Sequence, residues 1–212
     1  MIYDIHTHHS PNKSGEAIVQ LTPDAFHPQD GHFYSVGLHP WDISPNWRVQ
    51  MAGLLVMALH PQVVMIGEAG IDKKHGSSSL EQQIEVFREH VRLSELTRKP
   101  LIVHCVKGVD EVLAIRKAMK ATLPWVIHGF RGGIKQWEQL TRAGLYVSIG
   151  VHYDEDLVKE IPLSHLFVES DDIGNAGMAY ERISITKRIV ESELRQYVAA
   201  NIYSLLTACR AE

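Results

Sequence analysis

The chain has 212 residues, of which 45% are hydrophobic and 22% are charged, and its formal net charge is −4. This length and apolar content allow a full core, so we expect one domain over residues 1–212. The slight acidity excludes a general attraction to nucleic acid, and any contact with a polynucleotide must be local. No apolar run is long enough to span a membrane. The two cysteines form no disulfide framework, which favours a cytoplasmic location.

Short apolar runs alternate with amphipathic segments along the chain. Runs rich in valine and isoleucine indicate strands that are buried on both faces. We place eight such strands at 2–6, 17–21, 33–37, 63–67, 101–105, 125–128, 145–149 and 165–169. Helical spacing of apolar residues predicts helices at 47–59, 79–98, 109–121, 134–143, 154–160 and 182–208.

This alternation indicates the class of fold. Strands that alternate with helices favour right-handed β-α-β units and a parallel sheet. Eight of them favour an α/β barrel of the TIM (β/α)8 type, because site residues then come from many strand ends. The chain is short for that fold, which usually takes about 250 residues. We therefore expect a compact, truncated barrel that lacks the helix between strands 1 and 2, with residues 11–15 forming a tight loop.

Side chains that can hold a metal stand at the ends of the predicted strands. They are imidazoles and carboxylates: His6, His8, Glu68, His104, His128 and Asp171. The spacing of His6 and His8 points both rings to the same face of a strand. Each residue alone also has an ordinary interpretation, as a core histidine, a strand-end carboxylate or, for Asp171, a helix N-cap. Together at one rim of a barrel they predict a metal site with hydrolytic potential.

Other hydrolytic chemistries lack their motifs. No serine stands in a Gly-x-Ser-x-Gly elbow, and there is no glycine-rich phosphate loop. Cys105 is adjacent to His104, but neighbouring strand residues point to opposite faces, so we interpret it as a buried structural cysteine. Trp41 could stack on a nucleobase, although we favour packing against the core with one edge of the ring exposed.

In chain order these residues resemble the TatD family of metal-dependent hydrolases, within the amidohydrolase-like barrel group. The segments that carry the resemblance are His6-Thr7-His8, Gly37-Leu38-His39-Pro40, Gly67-Glu68-Ala69-Gly70-Ile71-Asp72, Ile102-Val103-His104, Ile127-His128-Gly129-Phe130 and Glu169-Ser170-Asp171. By this resemblance, one divalent ion would be held by His6, His8, Glu68 and Asp171. A second would be held by Glu68, His104 and His128, so that Glu68 bridges the two ions.

The resemblance implies a divalent-metal-dependent hydrolase of phosphoesters, of the deoxyribonuclease or 3′–5′ exonuclease type. Two ions, with Zn²⁺, Mn²⁺ and Mg²⁺ as candidates, would activate a water molecule. The catalytic residues would be Asp171, as the base, and the bridging Glu68. Glu169 would orient a ligand histidine without binding the ion itself. Four residues just past strand ends could meet a phosphate, namely His39, Lys73, Lys107 and Arg131.

A phosphoester is expected, with DNA ends or short single-stranded DNA as candidates, and neither a membrane nor an obligatory protein partner is predicted. Asp172-Ile173-Gly174 follows Asp171 where the family usually has a Pro-Tyr segment, so the loops that shape the pocket depart from the family pattern. Two alternatives stay open: amide or lactone hydrolysis at the same binuclear site, and a non-catalytic metal-binding barrel.

Overall fold

The computed structural model describes residues 1–10 and 13–209, so Pro11 and Asn12 of the predicted tight loop lie outside the described residues. The described residues include eight strands, each parallel to its neighbours and arranged in chain order. They are β1 (Asp4–Thr7), β2 (Ala17–Leu21), β3 (Phe33–Val36), β4 (Val63–Asp72), β5 (Leu101–Val106), β6 (Trp125–Ile127), β7 (Leu145–Ile149) and β8 (Leu166–Val168). The prediction of a (β/α)8 barrel is confirmed.

The barrel closes between β8 and β1. Thr7 and Asp171 form a parallel bridge, and the backbone N–H groups of Ser170 and Asp171 donate to the C=O of His6 at 3.3 and 3.0 Å. Closure therefore takes place at the carboxyl ends of these two strands. It places His6 and Asp171, which lie at opposite ends of the predicted donor set in the sequence, next to each other.

Seven α-helices are present in the described part of the chain. They are α1 (Trp47–Ala58), α2 (Leu80–Thr97), α3 (Val109–Met119), α4 (Ile134–Arg142), α5 (Glu155–Glu160), α6 (Gly177–Lys187) and α7 (Glu191–Ala208). None of these helices combines the length and the apolar character that crossing a bilayer requires. The described residues between β1 and β2 contain no helix, as predicted. Only a 3₁₀ turn over Pro23–Ala25 stands between β2 and β3.

The prediction of one continuous helix over 182–208 is wrong. Arg188 adopts a left-handed conformation with a φ of 52°, which ends α6. Val190 is extended, and α7 begins at Glu191. Both helices pack on the same core through residues such as Ile183 and Leu194. The apolar spacing therefore continues across the break, which is why the sequence pattern does not reveal it.

Strand β4 runs further than the apolar pattern predicts. It continues past Gly67 to Asp72, and all ten of its residues are buried. Its pairing with β5 shifts register between Ile66 and Ala69, so the irregularity contains Glu68. Gly67 has a φ of 116°, and a Cβ atom there would lie 2.3 Å from the C=O oxygen of Ile102. Only glycine fits this close approach, and bulges of this kind often redirect a side chain at an active site.

Candidate metal centre

The carboxylate of Glu68 lies at the centre of the predicted donor set and is 2% exposed. Its Oε2 atom is 3.2 Å from Nε2 of His6 and 3.2 Å from Nε2 of His8. Its Oε1 atom is 2.7 Å from Nδ1 of His104 and 2.6 Å from Nε2 of His128. Each carboxylate oxygen therefore faces its own pair of imidazoles, and Glu68 stands between two groups of donors.

The first group is completed by Asp171. Its Oδ1 atom is 3.7 Å from Nε2 of His6 and 3.5 Å from Nε2 of His8. Donors that bind one Zn²⁺ tetrahedrally at about 2.0–2.1 Å lie about 3.4 Å apart, so this spacing suits a single ion. Both ring nitrogens of His6 and Oε2 of Glu68 are buried without a hydrogen-bond partner among the described residues. Buried polar atoms are normally satisfied, and a cation in this group would satisfy Nε2 of His6 and Oε2 of Glu68.

The second group consists of Glu68, His104 and His128. Nδ1 of His104 is 3.3 Å from Nε2 of His128. This separation and those to Glu68 are hydrogen-bond distances, so the group is held together by hydrogen bonds in this structure. A divalent ion requires deprotonated imidazoles, and its binding would release the protons of these hydrogen bonds.

A buried carboxylate lies behind each histidine of the second group. Oδ2 of Asp72 is 3.1 Å from Nε2 of His104. Oε1 of Glu169 is 3.6 Å from Nδ1 of His128, an ion-pair separation rather than a hydrogen bond, and the hydroxyl of Ser148 donates to the other Glu169 oxygen. Carboxylates in such positions fix the tautomer of a ligand histidine and raise its basicity.

Sequence reasoning missed the roles of Asp72 and Asp4. Burial alone would raise the pKa of Asp72, but hydrogen bonds from the Lys74 backbone, the Trp41 indole and His104 outweigh it and lower that pKa. The one available signal was the position of Asp72 four residues after Glu68, within the segment 67–72 that carries the family resemblance.

Asp4 joins the two strands that close the barrel. Its Oδ1 atom accepts the backbone N–H groups of His6 and Ser170 at 3.2 and 3.1 Å, and its Oδ2 atom accepts the Ser170 hydroxyl at 2.6 Å. Burial raises the pKa of Asp4 to about 7. The side chain therefore links the segment of His6 to that of Asp171.

His39 also reaches the centre. Its Nε2 atom is 3.3 Å from Oε1 of Glu68 and 3.1 Å from Nδ1 of His104. Its Nδ1 atom accepts the backbone N–H of Trp41 at 3.1 Å. Because Nδ1 is an acceptor, a neutral His39 carries its proton on Nε2. It offers the centre a hydrogen-bond donor rather than a lone pair for an ion.

The charges of the centre are strongly coupled. Burial alone would raise the pKa of Glu68 and lower that of His128. The attraction between their opposite charges outweighs burial, so the pKa of Glu68 lies well below its usual range and that of His128 well above. A hydrogen bond with Glu68 raises the pKa of His8. Protons and divalent ions therefore compete for the same atoms, and affinity for an ion falls at acid pH.

A cleft of about 560 Å³ opens beside His104, His128 and Asp171. Three cationic side chains line it: Lys74, Lys107 and Arg131. Lys73, which we predicted to meet a phosphate, does not line this cleft, because its Nζ atom pairs with Oε1 of Glu111 at 2.5 Å. Lys74, one residue further along, lies on the cleft instead.

Two further residues on this cleft differ from their sequence interpretation. The packing role for Trp41 is wrong, because its side chain is 51% exposed and lines the cleft. Cys105 is only partly buried and also lines the cleft. Burial raises the pKa of its thiol to about 11, so it stays protonated and weakly nucleophilic near neutral pH.

Comparison with protein families gives a match over almost the whole chain. The family model described as "TatD related DNase" matches residues 4–206. The "3'-5' ssDNA/RNA exonuclease TatD" of Erwinia billingiae is 33% identical over 147 residues, which cover 65% of this chain and 56% of that protein. The "uncharacterized metal-dependent hydrolase YabD" of Bacillus subtilis is 28% identical over 147 residues, covering 66% and 58%. The matches thus span little more than half the length of these relatives.

Solved structures show the same fold. YjjV, a TatD homologue from Escherichia coli K12, superposes with a TM-score of 0.78 at 22% identity, covering 90% of this chain and 86% of that one. A TatD family hydrolase from Entamoeba histolytica gives a TM-score of 0.72 at 15% identity, covering 96% and 97%.

Proposed function

This chain belongs to the TatD related DNase family, and on that premise we propose that it is a divalent-metal-dependent hydrolase of phosphodiester bonds. The observation that carries the proposal is the position of Glu68, whose two oxygens face separate groups of imidazoles at 2.6–3.2 Å. A carboxylate between two such groups suits a binuclear centre. The low cysteine count supports a reducing cytoplasm as the proposed location.

We assign two ions to the centre. The first would be held by His6, His8, Glu68 and Asp171, and the second by Glu68, His104 and His128. The excess of imidazole over carboxylate donors favours Zn²⁺ or Mn²⁺ over Mg²⁺. When bound, such ions lower the pKa of a water molecule and stabilise negative charge on phosphoryl oxygens.

The protein contributes a base and a hydrogen-bond donor. The side chain of Asp171 is 33% exposed, so it can reach a water molecule as well as the first donor group, and it takes the proton of the attacking water. The Nε2–H of His39 donates to a phosphoryl oxygen and stabilises its charge as the bond breaks. Glu169 and Asp72 hold the rings of His128 and His104 in the orientation that this arrangement needs.

Single-stranded ends are the proposed substrate. The three cations on the cleft, Lys74, Lys107 and Arg131, can neutralise a few phosphates. The net charge of −4 offers no extended basic surface for a long duplex. A relative with 33% identity carries the name of a 3′–5′ exonuclease for single-stranded DNA and RNA, which supports this choice.

The test is cleavage of a 5′-labelled single-stranded oligonucleotide with Mn²⁺, Zn²⁺ or Mg²⁺. We expect shortening from the 3′ end that a chelator abolishes. Asp171→Asn should lower the rate by about 100-fold or more, which is the usual contribution of a general base, without changing the melting temperature. An equally active variant would refute the assigned base. Absence of cleavage with every ion, together with turnover of small lactones or amides, would refute the phosphodiester assignment.

A further inference from the structure

We propose that Trp41 forms a base-binding subsite beside the metal centre, where a nucleobase of the substrate stacks on the indole. This inference rests on the proposed function and narrows its substrate class. The favoured substrate is a phosphodiester that carries an aromatic base next to the bond that is cleaved, rather than any simple phosphate ester.

The position of Trp41 carries the inference. Its side chain is 51% exposed and lines the same cleft as His104, His128 and Asp171. The centre of the indole lies 6.0 Å from that of the His104 ring. Lys107 and Arg131 line this cleft as well. An exposed aromatic ring beside cationic side chains is the combination that binds single-stranded nucleic acid, because bases stack on the ring while phosphates meet the cations.

The indole is held in place by its own surroundings. Its Nε1–H donates to Oδ2 of Asp72 at 2.8 Å. The hydroxyl of Ser78 donates to the C=O of Pro40 at 3.0 Å, which ties the preceding residue to the start of α2. Gly76 packs so closely that a Cβ atom there would lie 3.1 Å from Cδ1 of Trp41. A ring fixed before binding loses little conformational entropy when a base stacks on it.

A purely structural role makes a different prediction. Oδ2 of Asp72 accepts both the indole N–H and, at 3.1 Å, the Nε2–H of His104. If Trp41 served only to orient Asp72, loss of the N–H in Trp41→Phe would weaken metal binding and slow every substrate equally. If Trp41 is a stacking surface, Trp41→Phe keeps an aromatic face and should keep most of the preference for a base-bearing substrate. Trp41→Leu keeps apolar bulk but has no aromatic face, so it should lose that preference.

The kinetic test compares an oligonucleotide with the same oligonucleotide carrying an abasic nucleotide on either side of the scissile bond. The metal-loaded wild type should prefer the base-bearing substrate by roughly five- to hundredfold in kcat/KM, the range expected for one stacked base. Trp41→Leu should lose that preference and Trp41→Phe should keep most of it. Any loss of kcat/KM on the abasic substrate should be equal in the two variants, because both lack the indole N–H that Asp72 accepts. Tyr203→Leu, at an aromatic residue that is 71% exposed on α7, is the matched control and should keep the preference.

If the wild type cleaves neither substrate, the proposed function fails. The base-binding subsite can then still be tested by a binding measurement. A deoxynucleoside monophosphate should bind the metal-loaded protein more tightly than deoxyribose 5-phosphate, and Trp41→Leu should remove the difference. Equal binding of the two ligands to the wild type would overturn the subsite. So would an equal loss of kcat/KM on base-bearing and abasic substrates in Trp41→Leu.

Discussion

His90 of α2 is a fully buried histidine that supports the segment carrying His39. Its Nε2 atom accepts the backbone N–H of Leu38 at 3.0 Å, and its Nδ1–H donates to the C=O of Val86 at 2.9 Å. Burial lowers the pKa of His90 from 6.5 to about 4. The ring must be neutral to accept the Leu38 N–H, so protonation would remove this support.

Acid pH should therefore destabilise the fold through His90. Below pH 6.5 the unfolded chain takes up a proton at this residue, whereas the folded chain does not until the pH approaches 4. At 1.36 kcal/mol per pH unit, the step from pH 7 to pH 5 lowers the free energy of unfolding by about 2 kcal/mol. Over the whole interval between the two pKa values the loss reaches about 3 kcal/mol.

Urea unfolding of the chelator-treated protein at pH 7 and pH 5 measures this loss. His90→Gln keeps an oxygen that can accept the Leu38 N–H and does not titrate. We expect its stability to fall by about 2 kcal/mol less than that of the wild type over this step, at an unchanged m-value. His27→Gln, at an exposed histidine, should keep the wild-type pH dependence. An identical pH dependence in His90→Gln and the wild type would show that this ring does not control acid stability.

Two further predictions concern the centre and the cleft. Glu169→Gln should weaken binding of the ion next to His128 by about 10- to 100-fold, because the His128 ring loses its anionic partner. A competition assay with a chromophoric chelator measures this affinity, and Glu138→Gln, at an exposed ion pair, should have no effect on it. Equal affinities in the wild type and both variants would contradict the role assigned to Glu169. Lys107→Ala should raise KM for an oligonucleotide and reduce the dependence of KM on salt concentration. Lys73→Ala should change neither quantity. Equal effects of the two substitutions would show that both lysines contact the phosphates.

The barrel and the donors could be predicted because local patterns encode them. Runs of valine and isoleucine such as Leu101-Ile102-Val103 identify strands buried on both faces, and their alternation with helices determines a parallel sheet. The carboxyl ends of such strands meet at one rim. His104 and His128 therefore come together although 24 residues separate them in the chain.

The details of the centre depend on packing that the sequence does not display. The register shift of β4 against β5 arises from pairing between strands, so Glu68 could not be placed inside β4 from the apolar pattern. Whether Lys73 or Lys74 faces the cleft depends on how the chain turns after β4, and that turn is fixed by hydrogen bonds to Asp72. The tautomer of a neutral His39 depends on the backbone N–H of Trp41, which donates to its Nδ1 atom.

The most direct test of the binuclear centre is the number of ions that each chain retains. Metal-free protein would be dialysed against Zn²⁺ and analysed by elemental mass spectrometry. We predict two ions per chain for the wild type and one for His128→Ala. We also predict two for His39→Ala, because His39 offers the centre a hydrogen bond and does not bind an ion. A wild type that binds fewer than two ions, or a His128→Ala protein that still holds both, would contradict the bridging role of Glu68.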